Sequence, residues 1–262
     1  TYVLSFGDFG RTYIKTQARN ANFELHMSDI PDEAIRRADA IHIGGSVLTP
    51  ELMKELPQFL RRAKSVKRDV KIVIDTTVDR NKDWNKAFEA NEWAYAYIDV
   101  LSVSFDEAVQ IAATKDIDGI MNFFISRGVK SVFLKMGELG SCASYVDEHK
   151  QEVVKFYIPA LKGLKRGAPV WDETGAGDAY TTGLVYGITH GWDLRKTSMF
   201  ATIMGGMACR HIGGTIENEN IVDAIANMRE LWNQISQGIG GNRPYPHVLE
   251  RPLAEPMALI SI

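Results

Sequence analysis

Short runs of Val, Ile and Leu alternate along this chain with longer stretches whose apolar residues recur every three or four positions, an order that few folds accommodate. The pattern begins near residue 32. Strands are expected at 39–44, 70–75, 98–103, 131–135 and 169–172, with a hairpin-like pair at 142–146 and 152–158. One helix is expected to open at Thr49-Pro50, Thr as cap and Pro in the first turn, with Leu52, Leu56, Phe59, Leu60 and Ala63 as its apolar stripe and Pro57 kinking it. Further helices are expected at 84–90, 106–113, 117–127, 176–190 (stopped by Gly191), 194–210 and 217–235. Strands alternating with helices imply an α/β fold: a mainly parallel sheet covered on both faces, with ligands at the carboxyl ends of the strands. Residues 2–15 instead read as two strands around a glycine turn.

Charge and composition narrow the class. The 262 residues hold 30 Lys and Arg against 33 Asp and Glu, a net charge of −3, so there is no positive excess to neutralise a polynucleotide and no nucleic-acid partner is expected. The uncharged runs 179–192 and 197–209 are shorter than the roughly 18 apolar residues of a membrane span, and no membrane partner is expected. Cys142 and Cys209 form no CxxC, which points to a reducing, cytoplasmic setting, and the six histidines show no HxH or HExxH spacing, so zinc is not expected. His42, in an apolar strand, reads as a hydrogen-bonded core residue, His190 as a helix C-terminal one, and the Trp93, Tyr95, Tyr97 cluster as packing. The chain opens at Thr1 inside a strand-like stretch, which implies a preceding portion. Residues 238–262 carry four of the nine prolines and no periodicity, and read as an extended tail. Three units are therefore expected: a lid hairpin at 1–16, an α/β domain at 17–237 and the tail at 238–262.

Asp172-Glu173-Thr174-Gly175-Ala176-Gly177-Asp178 carries the sharpest chemistry, joining a strand to a helix N-terminus. Gly175 and Gly177 permit a tight turn and close approach, and the free amides and dipole of the first turn favour an anion. Asp178, an acid beside an anion site, suits removal of a proton from a hydroxyl that attacks a phosphate. Taken alone, such an acid is more commonly a first-turn residue stabilised by the dipole. A dinucleotide-binding loop is the poorer reading, because Tyr180 stands where the third glycine belongs and no ribose-binding acid follows. Two more loops follow strands: Lys135-Met136-Gly137-Glu138-Leu139-Gly140, by itself an ordinary turn, and Ser104-Phe105-Asp106-Glu107, by itself a helix cap. If the three converge, they supply a glycine cradle, a lysine, carboxylates and a base, which are the parts of a phosphoryl-transfer site.

In this order the stretches resemble the PfkB, or ribokinase-like, carbohydrate kinases over roughly residues 1–236. Asp172–Asp178 resembles the family's D-T-x-G-A-G-D signature, Phe9-Gly10-Arg11-Thr12 the G-E-R-T of its β lid, Ile41–Gly45 the strand after the lid, Ser104–Glu107 its N-x-x-E, and Lys135–Gly140 its [TK]-x-G-x-x-G. The resemblance implies a three-layer αβα sandwich with a small β lid, and an ATP-dependent kinase acting on an alcohol of a sugar or sugar-like substrate. It implies Asp178 as the base, the amides of Gly175, Ala176 and Gly177 as the anion hole, and Glu107 as a Mg²⁺ holder acting through water. Lys135, Gly137 and Gly140 would lie near the nucleotide phosphates and Gly205 and Gly206 near adenine. Asp172 and the Thr174 carbonyl, with the loop around Gly213 and Gly214, would bind a monovalent cation such as K⁺.

Departures accompany these matches. Ser104 replaces Asn, Glu173 replaces Thr, and the family's D-x-N-x-R reads Asp75-Thr76-Thr77-Val78-Asp79, without the Arg in register. The family's opening strand, its sugar-binding Asp and its Gly-Gly-x-x-x-Asn stretch have no counterpart here. The alternative expectation is a catalytically weak, kinase-like subunit of a larger assembly joined through the tail. The lid's strand edge is an expected surface for a homodimer.

Overall fold

The computed structural model describes residues 2–5, 11–14, 25–45, 50–76, 83–89, 91–147, 149–160 and 172–209, with 213, 229 and 233 as single positions; 2–5, 11–14 and 83–85 are described as backbone alone. β1 (Tyr2–Ser5) and β2 (Arg11–Ile14) pair antiparallel, Tyr2 opposite Ile14 and Ser5 opposite Arg11, as the hairpin reading expected; residues 6–10 lie outside the described residues. The expected strand at 169–172, apart from Asp172, and the tail at 238–262 lie outside the described residues, as does the expected helix at 217–235 apart from Arg229 and Asn233, which are helical.

Six strands form one sheet in simple sequential order: β3 (Ala40–Ile43), β4 (Lys71–Asp75), β5 (Val100–Ser104), β6 (Ser131–Lys135), β7 (Ser141–Asp147) and β8 (Glu152–Ile158). The first four run parallel and are linked through helices. β6, β7 and β8 are antiparallel neighbours joined by short connections, as the hairpin-like reading expected. Strand alternation divides the core in two. Ile72, Ile74, Leu101, Val103, Val132 and Leu134 face one side, where they meet α1 (Asp32–Arg37), α2 (Pro50–Val66), α4 (Phe105–Ala112) and α5 (Ile117–Ile125). Phe88 of the short α3 (Asp83–Glu89) joins that side. Val73, Val100 and Phe133 face the other, where they meet α6 (Ala176–Thr189) and α7 (Leu194–Ala208). Both sides bury their large apolar side chains, each contributing roughly 1.5–3 kcal/mol.

α2 buries the expected stripe together with Met53 and Pro57, and it runs on through Pro57 to Val66. Asn91 precedes an unexpected 3₁₀ turn, Glu92–Tyr97, which buries Tyr95 against Phe88, Phe123 and Phe124 and leaves Trp93 exposed beneath Arg61. α6 and α7 pack backbone to backbone along a seam the sequence reading missed. A Cβ on Gly183 would stand 2.6 Å from Ala201 Cα, and one on Gly187 2.5 Å from Thr197 Oγ1. Gly191, at φ 67°, turns the chain between the two helices, as expected.

Candidate active site

Parallel register sets the carboxyl ends of β4, β5 and β6 side by side. Asp75 pairs with Ser102, and Ser104 with Lys135. Asp75, Ser102 and Lys135 alternate onto the α6 face and converge under the first two turns of that helix. Lys135 Nζ lies 2.6 Å from Asp75 Oδ1. Thr181 Oγ1 lies 2.7 Å from Asp75 Oδ2, to which it donates, and 2.8 Å from Ser102 Oγ. All four side chains are buried or nearly so.

The α6 N-terminus closes the cluster. Gly175 is its N-cap at φ 80°, a conformation that an L side chain rarely adopts, and no side chain caps it. The Ala176 amide turns back to the Glu173 carbonyl at 3.2 Å, and Ala179 donates to the Gly175 carbonyl at 2.8 Å. The amides of Gly175, Gly177 and Asp178 meet no acceptor among the described residues. A Cβ on Gly177 would stand 3.6 Å from Lys135 Nζ, so the lysine ammonium rests against the helix tip. Asp178 is exposed, and its carboxylate forms neither a hydrogen bond nor an ion pair with the described residues.

Glu107 sits in the first turn of α4. Ser104 caps that helix, accepting from the Glu107 amide at 3.4 Å while Glu107 Oε2 accepts from the Ser104 amide at 3.1 Å. Ser104 and Glu107 thus form a reciprocal capping box. The same oxygen accepts from Thr76 Oγ1 at 3.0 Å, which ties the end of β4 to α4. Burial raises the Glu107 pKa, opposed by the Ser104 hydrogen bond and the Lys135 charge.

Of the other expected site residues, Asp172 is buried and shapes the approach to α6. Its Oδ1 accepts from the Thr174 amide and hydroxyl at 2.9 and 2.7 Å, and its Oδ2 from the Gly213 amide at 3.2 Å. Gly213 is therefore held at Asp172. Gly140, at φ 90°, is fixed by its surroundings, since a Cβ there would stand 2.2 Å from the Ile158 carbonyl oxygen. Gly137 faces open space. Gly205 lets α7 approach the carbonyl of Ala176, and Gly206 is half-buried on the same helix.

His42 departs from expectation. It reaches solvent at the end of β3, and its ring has no hydrogen bond among the described residues; the ring folds over Gly44, where a Cβ would stand 3.1 Å from Cε1. Partial enclosure lowers its pKa, against the opposing pull of Asp75 and Asp178. The strand pattern signalled burial, but β3 is an edge among the described strands. Thr181 was missed altogether, and Asp75 was read only as the start of the departing D-x-N-x-R stretch, with no role in the site. A carboxylate ending an apolar strand was a readable signal for Asp75; Thr181, inside a helix, carried none.

A sheet with helices on both faces thus brings a lysine, an exposed acid and open amides together at its carboxyl edge, where α/β sheets bind ligands. The sequence profile of the pfkB family carbohydrate kinases matches residues 4–221, and the chain belongs to that family. It is similar to an ATP-dependent 6-phosphofructokinase of Thermoanaerobacterium thermosaccharolyticum, 23% identical over 216 residues, covering 81% of this chain and 63% of the relative. It is also similar to a 5-dehydro-2-deoxygluconokinase of Clostridium perfringens, 25% identical over 195 residues, covering 71% and 54%. The chain thus spans between about half and two-thirds of the length of these curated relatives. Among solved structures, an E. coli ribokinase II candidate in complex with ATP and Mg²⁺ superposes with a TM-score of 0.64 at 17% identity, covering 87% of this chain and 68% of that one, which establishes the ribokinase-like αβα fold. Among the described residues no helix is long and apolar enough to cross a membrane.

Proposed function

We propose that this protein transfers the γ-phosphoryl group of ATP to an alcohol of a sugar or sugar-like substrate. One observation carries the reading: Asp178 stands exposed and unpaired in the first turn of a helix whose neighbouring amides are open and against which Lys135 rests. Asp178 takes the proton from the acceptor hydroxyl as that oxygen attacks the γ-phosphorus and the bond to ADP breaks. The open amides of Gly175 and Gly177, with the helix dipole, stabilise charge on the phosphoryl oxygens. The Ala176 amide contributes only after it leaves the Glu173 carbonyl. Lys135, with the loop of Gly137 and Gly140, faces the phosphates, and Gly205 and Gly206 border the adenine.

The donors also fit a hard cation. The hydrogen bonds from Thr76 and Ser104 both fall on Glu107 Oε2, leaving Oε1 for water bound to Mg²⁺. When bound, Mg²⁺ neutralises charge on the nucleotide phosphates. Asp172 and the Thr174 carbonyl are the corresponding oxygen donors for a monovalent cation such as K⁺. A sequence with two cysteines and no CxxC accords with a cytoplasmic setting.

Incubating the protein with ATP, MgCl₂ and a panel of free and phosphorylated sugars, including 5-dehydro-2-deoxygluconate, tests the reading. Asp178→Asn is expected to reduce turnover by about 10³-fold while AMP-PNP binding stays within about twofold. Wild-type turnover in that variant would show that another group is the base.

A further inference from the structure

The Asp75–Lys135–Thr181 cluster has no assigned purpose beyond the local ion pair, yet its geometry ties together the two parts that must meet on a transferred phosphoryl group. Lys135 ends β6, sixty positions from Asp75, while Thr181 lies on α6, one turn beyond Asp178. Asp75 uses one oxygen for each: Oδ1 for the lysine at 2.6 Å and Oδ2 for the threonine at 2.7 Å, with Ser102 at 2.8 Å from the Thr181 hydroxyl. The cluster is largely shielded, the Lys135 and Asp75 side chains being 15% and 10% exposed. Asp178, in contrast, is exposed and unpaired, although the same ammonium lies against its neighbour Gly177. A lysine free to choose would be drawn to either carboxylate. The buried one holds it more strongly, because the screening there is weaker.

Resting on the kinase reading above, we propose that Asp75 is a positioning residue: it holds the Lys135 ammonium at the tip of α6, aimed at the γ-phosphoryl group, and keeps it from neutralising Asp178, while Thr181 locks the helix to the same carboxylate. The arrangement is preorganised, since the charge and the open amides already stand in fixed relation before a nucleotide enters. Asp75 touches no reacting atom in this scheme. It acts through Lys135, and its effect should fall on the γ-phosphate rather than on the nucleotide as a whole.

Calorimetry on the intact protein, with MgCl₂ and either ADP or AMP-PNP, tests this without turnover. Asp75→Asn is expected to weaken AMP-PNP binding about tenfold and leave ADP within about twofold, because the misplaced charge-assisted contact is one that only the triphosphate makes. Lys135→Met should show the same split, and the double variant should bind AMP-PNP no more weakly than Lys135→Met alone. Thr181→Val should reproduce the split at smaller size and Thr181→Ser should restore it towards wild type, which keeps the test decisive if Asp75→Asn does not fold. Equal losses for ADP and AMP-PNP, no loss for either, or losses that multiply in the double variant would overturn the positioning role. Failure of the wild-type protein to bind either nucleotide would instead overturn the kinase reading, and this proposal with it.

Discussion

The two ends of the sheet treat buried carboxylates in opposite ways. At the amino-terminal edge, Asp99 precedes β5 and is closed on all sides. Lys64 of α2 and Lys130 before β6 both reach its carboxylate, the Ile72 amide donates to it at 2.8 Å, and its own carbonyl accepts from Ser131 Oγ at 2.7 Å. At the carboxyl edge, Asp75, Glu107 and Asp178 share one lysine among the described side chains of the cluster, and Asp178 is open to solvent. Two cations on one acid make a staple that joins α2, β4, β5 and β6. One cation among three acids, next to open amides, makes a site that is complete only when a ligand arrives. On the proposed reading the same residue types serve stability at one end and chemistry at the other, and charge balance with solvent access separates the roles.

Breaking the closed end should produce the largest effect on stability. Asp99→Ala strands Lys64, itself 13% exposed at its side chain, and is expected to cost about 3–5 kcal/mol in urea unfolding while nucleotide affinity of the folded fraction stays unchanged. A cost below about 1 kcal/mol would show that the staple is no stronger than a surface pair.

The open end should answer in the reverse sense. Gly177→Val adds bulk where a Cβ already stands 3.6 Å from Lys135 Nζ. Phosphoryl transfer is expected to fall about 10²-fold, whereas stability changes by less than about 1 kcal/mol, since valine in a helix is no worse than the glycine it replaces. Unchanged rates would remove Gly177 from the anion site.

The smallest effect sharpens the contrast through pH. Burial pushes the Asp99 carboxyl up, but the Lys64 hydrogen bond, the Ile72 amide, the Lys64 charge and the Lys130 hydrogen bond outweigh it and hold the group below its ordinary value. Its contribution is thus present above the unfolded pKa and is lost as pH falls through the lower folded value. Glu107 has the opposite sign: its raised pKa makes its contribution greatest below the unfolded value, and that contribution fades as pH rises through the folded one. Urea midpoints of the wild type between pH 6 and pH 2 should therefore decline more steeply than those of Asp99→Asn. Parallel profiles would mean that Asp99 has no such linkage.

Local pattern alone determined much of this protein. The run of apolar residues in β4, β5 and β6, the stripe of α2, the Gly191 stop and the glycine turn that opens α6 at Gly175 all depend on neighbours within a few positions, where the 2-residue and 3.6-residue periods operate. The antiparallel β1–β2 pair and the β7–β8 hairpin were legible for the same reason. Tertiary structure alone decided which carboxylates are paired and which are free. Asp75 meets a lysine 60 positions away and a threonine 106 away, and Asp99 draws on a helix 35 positions earlier. Those meetings follow from parallel strand order and register, set by burial across the whole sheet, and no local window encodes them. The Gly183 and Gly187 seam and the exposed His42 were hidden similarly: a helical glycine and an apolar strand residue look alike in sequence whether a neighbouring backbone lies against them or the sheet ends there.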